Sequence, residues 1–307
     1  MSDNDSQAQA EWQRKLQLYP SLKKFEEQGD DFVESHDGRE ERLLAFIKAH
    51  PSFSSMQGNP SLILKAMDEY AYQQDFLINI GEGKGRILSD LIAKQKPKVL
   101  VELGGYVGYS AIHFAGQMLK AANNPSEVHL WSLEFDANFA AIASELIALA
   151  GLKDIVTVVV GSADETLRKL KSERKLSSID FFFLDHVEDL YEQDFKVAMD
   201  ELKLLGPGAV VVADNVVRPG APKYREHVRS RSDVKSEGVK GLIMPGELEV
   251  GPVISSGRST LMFAGRARSH VCLVKAQGFY RIAPLREEPR CDQNRDRIAK
   301  TESVGMA

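Results

Sequence analysis

The feature that most constrains this chain is a regular alternation of apolar, strand-like runs with helical segments between residue 98 and about residue 218. Five short runs rich in β-branched and aromatic residues each end in glycine or polar residues, and amphipathic stretches separate them. This alternation predicts an α/β fold, with a doubly wound, mostly parallel sheet and helices on both faces. Continuous apolar runs are typical of strands that are covered on both sides. The five runs are KVLVELGG, VHLWSLEF, VTVVVGSA, IDFFFLDH and AVVVADNV.

The segments outside this alternation define the expected domain limits. We predict a polar amino-terminal extension over residues 1–37, a single α/β domain over residues 38–285 and a disordered polar tail over residues 286–307. Two further strands are expected at GLIMP and SHVCLVKA, which would bring a Rossmann-like sheet to seven strands.

Composition and charge argue against several classes of protein. The 307 residues carry a formal net charge of −5, and this near balance is unlike that of a general nucleic-acid binder. No run of about 18 or more apolar residues predicts a membrane span, and the polar amino terminus lacks the apolar core of a signal peptide. Two cysteines, Cys272 and Cys291, do not make a disulfide framework. We therefore predict a cytoplasmic protein that acts on a small molecule, without nucleic-acid or membrane partners, and leave its oligomeric state open.

Polar and acidic side chains stand at the end of every predicted strand. In an open α/β sheet, ligands bind outside the carboxyl ends of the strands, so these side chains predict one binding site along that edge. The residues concerned are Glu102 and Gly104 at the first strand, Glu134 at the second, Ser162 and Asp164 at the third, Asp185 and His186 at the fourth, and Asp214 and Asn215 at the fifth.

The loop after the first strand, ELGGYVGYS, predicts a nucleoside site. Its glycines, Gly104 among them, permit close backbone approach, although a glycine turn between a strand and a helix is also common without a ligand. The GGxxG spacing and the distance to Glu134 differ from the GxGxxG fingerprint with an acid about 20 residues on, which disfavours an NAD-dependent oxidoreductase. Glu134 suits a ribose diol, and Glu102 suits a positive charge. S-adenosylmethionine has both features, and we predict it as the cofactor.

Three oxygen-bearing side chains at neighbouring strand ends predict a second ligand. Asp185, Asp214 and Asn215 offer the hard oxygen donors that Mg²⁺ prefers. For either acid alone, a turn closed by local hydrogen bonds is the commoner arrangement, but two acids on adjacent strands favour the metal. The acids that follow, Glu188 and Asp189, could act in the site or simply open a helix, where carboxylates suit the positive end of the dipole.

Four longer motifs carry a resemblance to a known family. They are NIGEGKGRILSDLI, VLVELGGYVGYSAIHFA, FFFLDHVEDLY and VVVADNVVRPGAP, in this order. Over about residues 38–250 the chain resembles the catechol O-methyltransferases. The resemblance implies the methyltransferase form of the Rossmann-like fold. It also implies transfer of a methyl group from S-adenosylmethionine to a hydroxyl of a catechol-type small molecule that is held on Mg²⁺.

The resemblance also implies roles for individual residues. Mg²⁺ is expected on Asp185, Asp214 and Asn215. The remaining assignments are Glu134 on the ribose, Glu102 near the cofactor amine, Tyr106 and Ser110 on the methionine part, Ile78 in the cofactor pocket, His186 beside the adenine, Glu249 on a catechol hydroxyl, and Pro219 as a wall of the catechol slot.

Departures from the family pattern bear on the chemistry. The animal enzymes have a tryptophan and a lysine after the aspartate–histidine pair, and that lysine is their general base; here the two positions hold Val187 and Glu188. Asp164 replaces a glutamine in the adenine-side loop, and we count it and Asp185 among the cofactor-binding residues. We predict that Glu188 or water takes the proton, and we assign Glu188 and Glu249 as the catalytic residues.

Two alternatives stay open at this point. A metal-dependent O-methyltransferase of another diphenol or of a phenylpropanoid would share the fold and the metal and differ only in the acceptor slot. A non-catalytic protein that binds S-adenosylmethionine would account for the loss of the lysine, although all three residues predicted to bind the metal are retained.

Overall fold

The computed structural model describes residues 13, 16–17, 20–28, 33–240, 247–253, 272–276 and 279–283. The strands of its main sheet are β1 Val99–Leu103, β2 His129–Glu134, β3 Val156–Val160, β4 Ile179–Leu184, β5 Leu205–Ala213, β6 Glu237–Lys240 and β7 Glu247–Pro252. They lie in the order β3-β2-β1-β4-β5-β7-β6. Strands β1 to β5 are parallel, whereas β7 is antiparallel to both of its neighbours. The predicted α/β class, with a doubly wound and mostly parallel sheet of seven strands, is confirmed.

Helices connect the parallel strands and cover the sheet. The α-helices in the described residues are α1 Lys23–Gln28, α2 Arg39–Ala49, α3 Phe53–Met56, α4 Pro60–Gln73, α5 Gly81–Gln95, α6 Tyr109–Ala121, α7 Ala137–Leu149, α8 Ala163–Ser172, α9 Tyr191–Lys196 and α10 Pro222–Ser230. Two π-helical turns, Val197–Glu201 and Val216–Gly220, follow α9 and β5. Within the same part of the chain, none of these helices combines the length and the apolar character needed to cross a bilayer.

The apolar run of β4 is buried on both sides of the sheet. Phe181 and Phe183 belong to one core cluster, where Phe183 meets Phe114 of α6 edge-on with ring centroids 5.0 Å apart. Phe182 and Leu184 belong to the other cluster. Because successive side chains of a strand alternate between its faces, a strand that is covered on both faces needs an unbroken apolar run.

The direction of winding reverses between β1 and β4, which are neighbours at the centre of the sheet. Leu103 pairs with Leu184, and the amide of Asp185 donates to the carbonyl of Leu103 at 2.9 Å. Gly104 follows β1 with a φ of +88°, in the left-handed region that favours glycine. A Cβ atom at this position would lie 2.1 Å from the carbonyl oxygen of Asp185. The ends of β1 and β4 therefore approach this closely only because residue 104 has no side chain.

The largest difference from the predicted elements lies before β5. The segment EQDFKVAMDELKLLGPG, between the fourth and fifth apolar runs, is one of the stretches expected to be helical, but α9 ends at Lys196 and a π-helical turn follows it. Strand β5 begins at Leu205 rather than at Ala209, and Leu205 pairs with Ile179. The glycines and the proline of GPG disfavour a helix, and an irregularity in the register of β4 and β5 accommodates the earlier start of the strand.

The outermost strands differ in place from the two that we predicted. The sheet ends with β7 and β6, whereas the strand predicted at GLIMP lies outside the described residues. The strand predicted at SHVCLVKA is present as β8 Cys272–Ala276, but it pairs with β9 Phe279–Ala283 in a separate two-stranded sheet. The predicted tail over residues 286–307 also lies outside the described residues.

Part of the predicted amino-terminal extension contacts the domain. The hydroxyl of Ser21 donates to the carbonyl of Ala71 in α4 at 2.6 Å, and Lys24 forms an ion pair with Asp75. Leu22, which lies between Ser21 and Lys24 in the sequence, is buried. These contacts attach the described residues 20–28 to α4, and the domain limits stay predictions.

We expect Gly104→Ala to destabilise the protein strongly, because the new methyl group would collide with the backbone of Asp185 and the left-handed φ would be strained. Urea unfolding should show a loss of about 3 kcal/mol or more. Gly206→Ala is the matched control: no atom lies within 4 Å of a Cβ built there, so its loss should stay below about 1 kcal/mol. Equal stability of the two variants would contradict the tight approach of β1 and β4.

Candidate active site

The glycine loop after β1 is hydrogen-bonded to Glu134, the last residue of β2. The amide of Gly108 donates to the carbonyl of Gly105 at 2.8 Å and closes a turn before α6. Tyr106 has a left-handed φ of +44°, and its amide donates to Oε2 of Glu134 at 2.7 Å. Oε1 of Glu134 accepts the amide of Asp136 at 2.7 Å. Two backbone donors therefore fix this carboxylate, and each oxygen keeps a second lone pair that can accept a hydroxyl.

Glu102 is a buried carboxylate with one oxygen that has no hydrogen-bond partner. Its Oε1 accepts the hydroxyl of Ser132 at 2.5 Å, while its Oε2 has no partner among the described residues. Burial raises the pKa of Glu102 to about 7, against the lowering effect of the Ser132 and Ser110 hydroxyls, and the charge of Glu134 adds to the increase. Buried polar atoms are normally hydrogen-bonded. The unpaired oxygen therefore fits a ligand that brings a donor, and a cationic donor best of all.

His186 is held by a buried carboxylate on the following helix. Its Nε2 lies 2.7 Å from Oδ2 of Asp194, and its ring stacks on Tyr191 with centroids 5.0 Å apart. Nδ1 of His186 is buried and has no hydrogen-bond partner among the residues that the structure describes. The imidazole is thus fixed at one nitrogen and presents the other. We assigned no role to Asp194 or Tyr191 from the sequence, although their spacing of three residues in the helical run LYEQD places them on one helix face.

Asp185, Asp214 and Asn215, which we call the acidic centre, lie at the ends of β4 and β5. Asp214 is 1% exposed, and Nζ of Lys84 lies 2.6 Å from its Oδ1 and 2.7 Å from its Oδ2. The same ammonium donates to Oδ1 of Asn215 at 3.1 Å. Oδ1 of Asp214 also accepts the amide of Asn215 at 2.7 Å. Three oxygens of the acidic centre therefore converge on one cation.

The carboxyl of Asp185 is affected by the same charges. Loss of solvation raises its pKa well above the ordinary value, and the charge of Asp214 raises it further. The ammonium of Lys84 acts in the opposite direction, while Glu102 and Glu188 add smaller increases. Among the neighbouring charges, that of Asp214 therefore has the largest effect on the pKa of Asp185, as expected of two carboxyl groups at adjacent strand ends.

The residues of the acidic centre fit a hard divalent cation. Across the described ranges, no group of three or more His, Cys, Asp or Glu side chains is placed to hold a metal ion. The acidic centre differs from such a group because it has two carboxylates and one amide. Carboxylate and amide oxygens are nevertheless the donors that Mg²⁺ takes, and Mg²⁺ usually keeps several water ligands as well. The ammonium of Lys84 already occupies a position suited to a cation among these oxygens.

Lys84 is a further residue of the site that we missed in the sequence. We gave Lys84 no role, whereas it lies on α5 and is 8% exposed. A signal was present, because Lys84, Leu88 and Ile92 recur at four-residue spacing and share the buried face of that helix. A lysine in line with two core residues needs a buried acidic partner.

Glu188 and three apolar side chains form the rim of the acidic centre. Glu188 begins a 3₁₀ turn after β4 and is half-buried; burial raises its pKa, and Asp214 contributes to the increase. Val187, Leu190 and Val217 are exposed, at 60%, 42% and 37%. The turns that carry them, one after β4 and one after β5, lie against each other. The rim therefore offers an apolar surface beside Glu188 and the acidic centre.

The remaining predicted site residues vary in how closely they approach this edge. Ser110 is buried on α6, and its hydroxyl has a lowering effect on the pKa of Glu102. Ile78 is exposed between α4 and α5. The hydroxyl of Tyr106 donates to Oε1 of the buried Glu40 at 2.7 Å. Asp164 lies in the first turn of α8 and forms an ion pair with Arg168 at 2.7 Å.

Two residues predicted for the acceptor slot lie on β7 and on the turn that follows β5. The backbone of Glu249 belongs to β7 and pairs with Ala213, the residue before Asp214, but its side chain falls outside the part that the structure describes. Pro219 is exposed within the π-helical turn Val216–Gly220.

Comparison with known proteins identifies relatives of this chain. The profile of the O-methyltransferase family matches residues 54–237. Catechol O-methyltransferase of Bos taurus is 37% identical over 194 residues, which are 63% of this chain and 67% of that protein. Catechol O-methyltransferase B of Danio rerio is 35% identical over 198 residues, 64% of this chain and 71% of that protein. In fold, the chain is similar to the O-methyltransferase from Bacillus cereus in complex with SAH, with a TM-score of 0.53 and 21% identity, over 78% of this chain and 100% of that chain.

We expect Glu102→Gln to stabilise the ligand-free protein at pH 8 but not at pH 4.5. The folded-state pKa of about 7 exceeds the ordinary value of 4.5, so the folded protein keeps this proton longer and loses stability as the pH rises between the two values. Urea unfolding at pH 8 should show a gain of about 3 kcal/mol. Glu41→Gln, which changes an exposed carboxylate of α2, should give no comparable gain. A pH dependence of stability equal to that of the wild type would exclude the raised pKa of Glu102.

Proposed function

Since this chain belongs to the O-methyltransferase family, we propose that it transfers the methyl group of S-adenosylmethionine to a hydroxyl of a catechol-type small molecule held at Mg²⁺. One observation carries the proposal: oxygens of Asp214 and Asn215 converge on one positive charge, the ammonium of Lys84, at the strand ends beside the glycine loop. The names of the relatives from Bos taurus and Danio rerio support a catechol as the acceptor.

The donor side of the site is assigned to the glycine loop and the ends of β1 and β2. S-adenosylmethionine supplies a methyl group on a positively charged sulfur. Glu134, fixed by two backbone amides, accepts the two ribose hydroxyls with its remaining lone pairs. Glu102 directs its unpaired Oε2 to the ammonium of the methionine part. Gly104 lets the glycine loop lie against the backbone of Asp185, which keeps the two sides of the site adjacent.

Several other residues complete the proposed cofactor pocket. Tyr106 and Ser110 contact the methionine part, and Ile78 covers the pocket from the segment before α5. His186, whose ring is fixed by Asp194, packs beside the adenine. Asp164 lies on the adenine side, where its ion pair with Arg168 holds it at the start of α8.

The acceptor side is assigned to the acidic centre. Mg²⁺ supplies positive charge that lowers the pKa of a nearby hydroxyl. Asp185, Asp214 and Asn215 would hold this ion, and the short distance from β4 to the glycine loop would orient the acceptor toward the donor methyl. Asp185 therefore serves both sides of the site, because its backbone contacts Gly104.

Glu188 is our candidate for the group that receives the acceptor proton. A carboxylate is a weak base at its ordinary pKa, but burial raises the pKa of Glu188, and Asp214 and Glu34 raise it further against the effect of His186. Water is the alternative acceptor of the proton. Glu249, which we propose as the partner of an acceptor hydroxyl, would act from the neighbouring β7.

A larger diphenol or a phenylpropanoid is a second candidate acceptor. The observation that favours it is the exposed apolar rim of Val187, Leu190 and Val217. Valine at position 187 is much smaller than the tryptophan of the animal enzymes, so a slot bounded by this rim would accept a bulkier ring system. A non-catalytic role is disfavoured because the residues of the acidic centre are all retained.

We expect methyl transfer to a catechol to stop in EDTA and to return when Mg²⁺ is added. Asp214→Asn should lower kcat/KM on the order of 100-fold or more, because the variant loses one charge that would hold the ion. Asp90→Asn, at an exposed position of α5, is the control and should keep wild-type turnover. Turnover that persists without metal would overturn the proposed acceptor site, and calorimetry showing cofactor binding but no Mg²⁺ binding would favour the non-catalytic alternative.

We expect Glu188→Gln to change the pH–rate profile. If Glu188 receives the proton, the variant should lose the acidic limb of that profile and should turn over about 10² times more slowly, because general-base catalysis contributes roughly this factor. Asp189→Asn changes the neighbouring, exposed carboxylate of the same turn and should leave the profile unaltered. An unchanged profile in Glu188→Gln would exclude Glu188 and leave water as the acceptor.

A further inference from the structure

Lys84 places a positive charge inside the acidic centre. The residue is 8% exposed, and its ammonium lies within 2.7 Å of both carboxylate oxygens of Asp214. It also donates to Oδ1 of Asn215 at 3.1 Å. One cation of the chain itself thus contacts three of the oxygens that we assign to Mg²⁺.

The position of Lys84 is determined by how closely α5 packs on its neighbours. A Cβ atom at Gly85 would lie 3.2 Å from Cε1 of His113, so α5 approaches α6 more closely than most residues would permit. Nε2 of His113 lies 2.9 Å from the carbonyl of Gly85, which fixes this first turn of the helix. Leu88 and Ile92, one and two turns further on, are fully buried. The side chain of Lys84 is therefore directed to the edge of the sheet rather than to solvent.

The acidic centre needs a counter-charge when it is free of metal. Asp185 experiences the negative charges of Asp214, Glu102 and Glu188, and Lys84 is the basic residue that opposes them. Removing one partner of a buried ion pair leaves the other charge uncompensated, which is strongly destabilising. Lys84 therefore stabilises the protein most when no other cation is present.

The same contacts make Lys84 a competitor of a divalent cation. An ammonium and Mg²⁺ would compete for the oxygens of Asp214 and Asn215, and two positive charges a few ångströms apart repel each other strongly in a poorly solvated site. A neutral side chain at position 84 would remove both the competition and the repulsion.

We propose that Lys84 is the resident counter-cation of the acidic centre: it holds Asp214 and Asn215 in place while the centre is free of metal, and it weakens the binding of Mg²⁺ by competing for the same oxygens. This inference rests on the metal site of the proposed function. It assigns Lys84 a positioning role, with opposite effects on the stability of the metal-free protein and on the affinity for the ion.

The test compares Lys84→Met with the wild type in thermal unfolding and in calorimetric titration with Mg²⁺, both without methyl acceptor. Without metal, the Tm of the variant should fall by roughly 10 °C, because a buried pair loses one partner. The Kd for Mg²⁺ should become smaller on the order of tenfold, and saturating Mg²⁺ should raise the Tm more than it does in the wild type. Lys65→Met, at an exposed position of α4, should change neither quantity.

Two more variants keep the test decisive. Lys84→Arg retains the charge and should not bind Mg²⁺ more tightly than the wild type. Lys84→Gln retains a hydrogen-bond donor without the charge; it replaces Lys84→Met if that variant does not fold, and it carries the same expectation for Mg²⁺.

The possible failures are distinguishable. A merely structural lysine would lower the Tm of Lys84→Met and leave the Kd for Mg²⁺ unchanged or larger, and this result would overturn the inference while the metal site stands. A wild-type protein that binds no Mg²⁺ would overturn the metal part of the proposed function together with the competition.

Discussion

The close approach of the β1 and β4 ends is the constraint on which the rest of the site depends. Gly104 allows the backbone after β1 to lie against the carbonyl of Asp185, at the point where the strand order reverses. Connections that leave this point in opposite directions open a crevice, which is where ligands of such sheets bind. The glycine loop and the acidic centre consequently start side by side. Any side chain at position 104 would separate them, so their spacing is a property of the backbone.

The second constraint is electrostatic, because the same edge gathers carboxylates away from water. Glu102, Asp185 and Asp214 are poorly solvated, and an uncompensated buried charge is costly. The chain compensates only in part, with the hydroxyl of Ser132 at Glu102 and the ammonium of Lys84 at Asp214. A fold stabilised by its core alone would gain nothing from these acids. A cationic ligand bound here would relieve the remaining charge, which would link binding and stability at this edge.

Local patterns predicted the sheet and the placement of the acids, since both depend on neighbours in sequence. An unbroken apolar run such as Phe181 to Leu184 reports a strand that is covered on both faces, and a parallel sheet brings the strand ends to one edge. The partner of Lys84 could not be predicted in this way, because Asp214 is 130 residues away. The helical spacing predicts that Lys84 is buried, but it does not identify the acidic residue that pairs with it. The early start of β5 could not be predicted for a related reason: it depends on the pairing of Leu205 with Ile179, which is a tertiary contact.

The acid at position 188 is compatible with this charge distribution. A lysine there must lose its own proton before it can accept another, and it would add a third cation beside Lys84 and a divalent ion. A carboxylate is already in the accepting form at neutral pH and needs only a raised pKa, which burial and the charge of Asp214 provide. A bound cation near Asp214 would offset part of that increase. In the function that we propose, the charges of Asp214, Lys84 and the bound ion would together determine how basic Glu188 is.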